Sequence, residues 1–73
     1  MRSIPQHRRT LGEAIRTLRK QAGFSQERLA EKADLSPVYI SRIECGKENI
    51  SVDAAMRIAK AVGVRLRDLF QNT

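Results

Sequence analysis

The stretch 25–47 constrains the fold of this chain more than any other part of the sequence. Ser25 and Ser36 each precede a helix-compatible run, and a serine oxygen in that place can accept a hydrogen bond from the free N–H groups that begin a helix. Pro37 then fits the first turn of the second helix, because its missing N–H would have no partner there. Ala30 is small enough for that helix to cross nearby. The pattern predicts two short helices joined by a tight turn.

Two helices connected in this way are the sequence form of a helix-turn-helix, whose second helix lies in the major groove of DNA. The charge of the chain agrees with this interpretation, since 14 lysine and arginine residues against 8 acidic residues give a net charge of +6. A basic protein of this kind is suited to approach a polyanion. The sequence therefore predicts that double-stranded DNA is the partner.

The chain is predicted to divide into an arm and one helical domain. Residues 1–9 lack helical periodicity, and we predict that they form a flexible basic arm. The domain is predicted to span residues 10–73. Thr10 and Glu13 fit a capping box that would begin its first helix. Gly23 is expected to end that helix.

Two more helices are predicted in the C-terminal part. Ser51 is expected to cap a fourth helix, whose apolar stripe would consist of Val52, Ala55, Met56, Ala59 and Val62. A short fifth helix is then marked by Leu66, Leu69 and Phe70. The predicted fold class is all-α, a compact bundle of five helices.

Several classes of protein are disfavoured by what the sequence contains. No apolar run approaches the roughly 18 residues of a membrane span, and the N-terminus lacks the apolar core of a signal peptide. One cysteine, Cys45, cannot form an internal disulfide. We therefore expect a cytoplasmic protein with no membrane partner.

The residues from Leu11 to Phe70 resemble the lambda-repressor-like helix-turn-helix regulators of the Cro/C1 and XRE type. The resemblance is carried by the stretches LGEAIRTLRKQAGFSQERLAEKADLS, YISRIECGK, ISVDAAMRIAKAVGV and LRDLF. The stretch 49–52 also resembles the controller proteins of restriction–modification systems. The resemblance implies a five-helix DNA-binding domain in which helices 2 and 3 form the helix-turn-helix. It also implies a transcriptional regulator that binds a pseudo-palindromic operator as a dimer.

The resemblance assigns DNA-contacting roles to residues of this chain. The base-reading positions correspond to Pro37, Val38 and Arg42. The fork of Arg42 can take guanine O6 and N7 together, whereas Pro37 and Val38 could pack against thymine methyl groups. An alternative for Arg42 is a phosphate contact or solvation. The positions expected to contact the DNA backbone are Gln26, Tyr39, Ser41, Lys47 and Asn49; Tyr39 could equally cover the edge of the core.

Two further positions are assigned structural roles. Arg19 and Glu44 match positions that form an ion pair between the first and third helices in this family, the alternative being two independent surface charges. Asp34 stands where the family usually has glycine in a left-handed turn, and aspartate is one of the few residues that tolerate this conformation. We therefore expect the turn to survive and Asp34→Gly to stabilise the protein.

A homodimer is expected because one helix-turn-helix contacts too few base pairs for useful specificity. The predicted interface is Leu66, Leu69 and Phe70, large apolar residues on a helix too short to bury them all. No ligand domain follows the fifth helix, so we expect no small-molecule ligand and regulation by dimerisation and operator arrangement. An activator would also contact RNA polymerase, but no surface acid can be assigned to that contact.

Other functions fit the sequence less well. An antitoxin-like module that covers another protein is an alternative, although no partner-binding extension beyond the arm is evident. An enzyme is disfavoured because no Cys–His, Ser–His or paired-carboxylate arrangement is recognisable, and no catalytic residue is assigned. His7 lacks neighbours at metal-ligand spacing and Cys45 lacks a resolving partner, so neither a metal nor a cofactor is expected.

Overall fold

Four α-helices and one 3₁₀ helix form the fold in the computed structural model, which describes residues 6–70 and the side chains from residue 8 onward. Regular structure in this part of the chain is entirely helical. The elements are α1 (Gln6–Gln21), α2 (Gln26–Ala33), α3 (Pro37–Glu44), α4 (Val52–Val62) and a 3₁₀ helix (Leu66–Phe70). The prediction of an all-helical domain therefore agrees with the structure.

The first helix begins at Gln6, earlier than predicted. Thr10 consequently lies inside α1, and the prediction that Thr10 and Glu13 form a capping box is wrong. Residues 6–9 contain neither glycine nor proline, so nothing in their sequence opposes extension of the helix toward the N-terminus. These residues belong to α1 and not to an arm, while residues 1–5 of the predicted arm lie outside the described residues.

Serine caps begin the next three helices as the sequence predicts. The side-chain oxygens of Ser25, Ser36 and Ser51 each accept a hydrogen bond of 3.0 Å from the backbone N–H three residues further on. Pro37 occupies the first turn of α3. Each cap satisfies a donor that the helix itself leaves unpaired, which fixes where the helix begins.

The turn between α2 and α3 is held in a left-handed conformation at Asp34, which has a φ of 57°. Its backbone N–H bonds to the carbonyl of Glu31 at 3.3 Å, and the next N–H, from Leu35, bonds to that of Ala30 at 2.9 Å. These bonds satisfy carbonyls at the end of α2, as in a Schellman motif. The left-handed turn predicted at Asp34 is confirmed.

The core draws one large apolar side chain or more from every element. The fully buried ones are Ile15, Leu29, Ile40, Ile43, Ile58 and Leu69. Gly12 of α1 lies against the end of α3, because a Cβ added there would come within 2.9 Å of the Glu44 carbonyl oxygen and still nearer to that of Ile43. Glycine is unfavourable inside a helix, so the close approach of α3 explains its presence.

The C-terminal part differs from the prediction in two ways. The fifth helix is a single stretch of 3₁₀ helix, and it buries Leu69 completely in the core, so Leu69 has no outer face to offer a partner. In α4 the buried residues are Ala54, Ala55, Ile58 and Ala59. Val52 and Met56 are 71% and 55% exposed, so their predicted place in the apolar stripe is wrong, whereas the predicted burial of Ala55 and Ala59 is confirmed.

Candidate nucleic-acid interface

The outer face of α3 presents the residues that were assigned to base contacts. Pro37, Val38 and Arg42 are all exposed, and Val38 is 68% exposed although it is apolar. Ile40 and Ile43 point the other way and are buried. This alternation follows the helical repeat, in which residues three and four apart share a face. One side of α3 is therefore fixed to the domain and the other is open to a partner.

The position of α3 is fixed by a buried ion pair with α1. The Arg19 Nε donates to Glu44 Oε2 at 2.7 Å and its Nη2 donates to Glu44 Oε1 at 3.1 Å. The Arg19 Nη1 also donates to the Phe24 carbonyl at 2.8 Å. The hydrogen bonds from Arg19 to Glu44 raise the pKa of the Arg19 guanidinium above its already high usual value, so this side chain stays charged. The structure thus brings Arg19 and Glu44 together in a bidentate contact.

Gln26 joins the same cluster of charges from the first turn of α2. Its Nε2 donates to Glu44 Oε1 at 3.0 Å, and the side chain is half-buried. A carboxamide nitrogen carries two hydrogens, so this bond orients the amide and leaves a second donor. The N–H groups that begin α2 lie beside it, and such groups favour anions. The start of α2 therefore presents an oriented side-chain donor beside backbone N–H groups.

The exposed end of α3 carries a second arginine–glutamate pair. Arg42 Nε donates to Glu48 Oε2 at 3.1 Å, and Arg42 Nη2 donates to the Lys47 carbonyl at 3.2 Å. Both acceptors belong to the loop that follows α3. Lys47 and Asn49 of this loop are exposed. Their side chains are accessible to a ligand that approaches α3 from outside.

Tyr39 connects α3 to the start of α4. Its ring is half-buried and packs against the core, and its hydroxyl oxygen accepts a hydrogen bond of 3.4 Å from the Ser51 N–H. The hydroxyl hydrogen can still be donated to another acceptor. Ser41, one turn from Pro37 on the same helix, is also half-buried. Tyr39 therefore lies at the edge of the core, which is one of the two positions that the sequence allows. Its hydroxyl group lies at the surface.

Several contacts of this face were not foreseen from the sequence. They are the bond from Gln26 to Glu44, the pair of Arg42 with Glu48, and the close approach at Gly12. The first two join residues from different elements, and no local pattern indicates them. Gly12 did carry a signal, because an unexplained glycine inside a helical pattern points to close packing.

Three large apolar residues of the C-terminal part, Val52, Met56 and Phe70, are exposed, and we call them the apolar patch. Val52 and Met56 are one turn apart on α4, and Phe70 is 42% exposed. Val52 and Phe70 also line one groove together with Glu48 and Asn49 of the loop that follows α3. Exposed apolar residues gathered in this way are typical of interaction surfaces.

Neither a metal-ligand cluster nor a membrane-spanning helix is present among the residues that the structure describes. Among these residues no group of three or more His, Cys, Asp or Glu side chains could hold a metal ion. No helix in the same range has the length and apolar character needed to cross a membrane. Cys45 lies exposed as a free cysteine just after α3.

Comparison with known proteins identifies helix-turn-helix relatives. The family HTH_3, described as helix-turn-helix, matches residues 15–69. The control protein C.BamHI of Bacillus amyloliquefaciens is 43% identical over 63 residues, covering 85% of this chain and 78% of that protein. The control protein C.MunI of a Mycoplasma species is 37% identical over 62 residues, covering 84% of each.

A solved structure agrees with these relatives in fold. The restriction–modification controller protein C.AhdI from Aeromonas hydrophila superposes with a TM-score of 0.85 at 33% sequence identity. The superposition covers 86% of this chain and 96% of that one. The family match at residues 15–69 includes the whole of α2, α3 and α4.

Proposed function

The chain belongs to the HTH_3 family of helix-turn-helix DNA-binding transcriptional regulators, and we propose that it binds a pseudo-palindromic operator as a homodimer. In this proposal α2 and α3 form the helix-turn-helix, and α3 enters the major groove. Its sequence specificity would come from the outer face of α3, with the rest of the domain holding that face in place.

The observation that carries this proposal is the contrast between the two sides of α3. The inner side is buried and held by the Arg19–Glu44 pair, whereas Pro37, Val38 and Arg42 are exposed along the outer side. A major groove about 12 Å wide admits an α-helix. A helix that is fixed to the domain along one side and exposed along the other is suited to lie in that groove.

The contacts proposed with DNA fall into two classes. Arg42 would read guanine, and Pro37 and Val38 would pack against thymine methyl groups. Phosphates would be bound by the residues that surround α3, which position the protein without reading sequence. The proposed phosphate contacts are Gln26, Tyr39, Ser41, Lys47 and Asn49.

The dimer is proposed to form through the apolar patch of Val52, Met56 and Phe70. Leu66, which is half-buried against the core, would border this surface. Leu69 is left out because its side chain is fully buried. Association of two copies through this patch would set two α3 helices for half-sites about 34–36 Å apart.

The relatives named control proteins support a role as a controller of a restriction–modification system. Such a role needs a specific operator and a dimer, which the proposal already contains. Contact with RNA polymerase and cytoplasmic location stay predictions.

Selection of bound duplexes from a randomised library at near-physiological salt tests the proposal. We expect enrichment of a two-fold-symmetric site that contains guanine in each half. Arg42→Ala should lose the preference for that guanine. Lys60→Ala, which removes one positive charge from the far end of α4, should keep it. Weak binding to all sequences that disappears with added salt would contradict a sequence-specific regulator.

The dimer has its own test in the variant Val52→Asp/Met56→Lys. Both positions are exposed, so the domain should stay folded. We expect this variant to sediment as a monomer and to bind the symmetric site far more weakly, while Lys60→Ala sediments as a dimer. A double variant that remains dimeric would exclude the patch as the interface.

A further inference from the structure

The contact of Arg42 with Glu48 is not explained by the stability of the fold. The Arg42 side chain is 51% exposed and the Glu48 side chain 35% exposed. Ion pairs so open to water contribute little to the stability of proteins. A carboxylate beside a surface that approaches phosphates also opposes binding through repulsion. Glu48 therefore lies where an acidic residue weakens the general attraction to DNA.

The atoms used in this contact show what the carboxylate can do. Glu48 accepts from Arg42 Nε, and the Lys47 carbonyl accepts from Nη2. A guanidinium has five N–H donors, so three remain, two on Nη1 and one on Nη2. One N–H of Nη1 and one of Nη2 form the terminal edge of the guanidinium, which can donate two parallel hydrogen bonds to guanine O6 and N7.

We propose that Glu48 is a positioning residue for base recognition, which holds Arg42 by its Nε side and leaves its terminal edge for guanine. This inference rests on the proposed function. The long arginine side chain has many rotamers, and fixing it before binding reduces the entropy lost in the complex. The same contact keeps the guanidinium from turning to a neighbouring phosphate. Glu48 thus lowers binding to arbitrary DNA while it raises the preference for the correct base.

Removal of the Glu48 side chain should therefore have opposite effects on affinity and specificity. In Glu48→Ala, Arg42 is free to bind phosphates and one negative charge is lost, so affinity for arbitrary duplexes should rise. Preference for guanine should fall by about two- to five-fold, the range expected for one exposed ion pair. Glu48→Gln keeps an acceptor for Nε, so it should show the rise in affinity and retain most of the preference.

The test measures dissociation constants for two duplexes that differ in one base pair. The duplexes are the selected operator and the same operator with guanine replaced where Arg42→Ala loses its preference. The proteins are the wild type, Glu48→Ala, Glu48→Gln, Arg42→Ala and the double variant Arg42→Ala/Glu48→Ala. Circular dichroism checks that each is folded. The ratio of the two constants should fall in Glu48→Ala, recover in Glu48→Gln, and be the same in Arg42→Ala with or without Glu48.

The possible outcomes separate this inference from the proposed function. A ratio unchanged in Glu48→Ala would mean that Glu48 only repels DNA, and the inference would be wrong while the regulator stands. A fall in the ratio that persists without Arg42 would also overturn it, because Glu48 would then act by another route. A wild type that prefers no duplex would overturn both.

Discussion

The two arginine–glutamate pairs of α3 have the same chemistry and opposite surroundings. The Arg19–Glu44 pair lies between α1 and α3 with side chains 10% and 3% exposed. The Arg42–Glu48 pair lies at the surface with side chains 51% and 35% exposed. Burial makes an ion pair costly to break, because the remaining charge has no water to solvate it. The first pair is therefore suited to fix the helix, and the second to orient Arg42 at the surface without carrying the stability of the domain.

The same difference separates two roles of α3, which are to hold the domain together and to bind a ligand. Glu44 receives three hydrogen bonds, two from Arg19 and one from Gln26, so it joins α1, α2 and α3 at one point. Arg42 is held by two acceptors of a single loop. Breaking the Arg19–Glu44 pair should therefore destabilise the whole domain. Breaking the Arg42–Glu48 pair should change only the binding of DNA.

The largest expected effect is that of Glu44→Ala. It leaves the Arg19 guanidinium buried without its carboxylate, so we expect a loss of about 3–5 kcal/mol in the free energy of unfolding. That is a large share of the stability of a domain of this size. Urea denaturation measures the loss, and Glu44→Gln, which keeps an acceptor, should lose less. A double-mutant cycle with Arg19→Ala that gives near-zero coupling would show that the two residues do not act as a pair.

Gly12→Ala tests the close approach that allows Arg19 to reach Glu44. The added Cβ would meet the backbone carbonyl oxygens of Ile43 and Glu44, which cannot rotate away as a side chain can. We expect a loss of about 1–3 kcal/mol in thermal or urea unfolding, although alanine is otherwise the better helix former. Glu13→Ala, at the neighbouring exposed position, is the control and should change stability by less than about 0.5 kcal/mol. A Gly12→Ala variant as stable as the wild type would mean that α1 and α3 can separate without loss.

The features that hold α3 to the domain could be predicted from the sequence or from the family resemblance, whereas the Arg42–Glu48 pair could not. The serine caps are local features, in which a residue satisfies its own helix end, so the sequence alone could predict them. The left-handed turn at Asp34 was available through the family resemblance, which implies glycine at that position. The pair of Arg19 and Glu44 was available through family resemblance. The pair of Arg42 and Glu48 depends on the path of the loop after α3, which no periodicity specifies.

The errors of prediction have a common physical cause. In α4, the stripe through Val52 and Met56 and the one through Ala54 and Ile58 both have helical spacing, and only packing against α2, the 3₁₀ helix and α1 decides which is buried. The start of α1 was misplaced because Thr10 and Glu13 make a good capping box that the longer helix does not use. The sequence predicts Leu69 at the dimer interface, because the length of the last helix does not reveal how deeply this residue packs.

The outer pair should contribute little to stability, which Arg42→Ala tests. Since the Arg42 and Glu48 side chains are both substantially exposed, we expect a change of less than about 1 kcal/mol in the free energy of unfolding. The same variant should lose discrimination against a wrong base by about 1–3 kcal/mol. Urea denaturation and binding titrations on one preparation measure both. A loss of stability as large as that of Glu44→Ala would mean that the Arg42–Glu48 pair stabilises the domain as much as the Arg19–Glu44 pair does.

The smallest expected effect is that of Asp34→Gly, which should raise the stability of the protein and not lower it. Asp34 belongs to a third ionic contact. Asp34 Oδ2 lies 3.7 Å from Arg57 Nη1, but the Asp34 side chain is 97% exposed, so its carboxylate should matter little. Its backbone, at a φ of 57°, is in a conformation that glycine adopts without strain. Asp34→Gly relieves this strain and gains flexibility in the unfolded chain, and we expect a net rise of about 0.5 kcal/mol, or roughly 2–4 °C in Tm.

Asp34→Ala is the matched control for that variant, because it removes the same carboxylate and keeps a Cβ in the left-handed conformation. Its Tm should fall below that of the wild type, since alanine lacks the local hydrogen bonding that helps aspartate tolerate this region. If both variants melted lower than the wild type, the contact with Arg57 would outweigh the backbone strain. The exposure of the side chains would then not indicate the strength of ion pairs in this protein. The contrast between the Arg19–Glu44 and Arg42–Glu48 pairs, which rests on exposure, would lose its support.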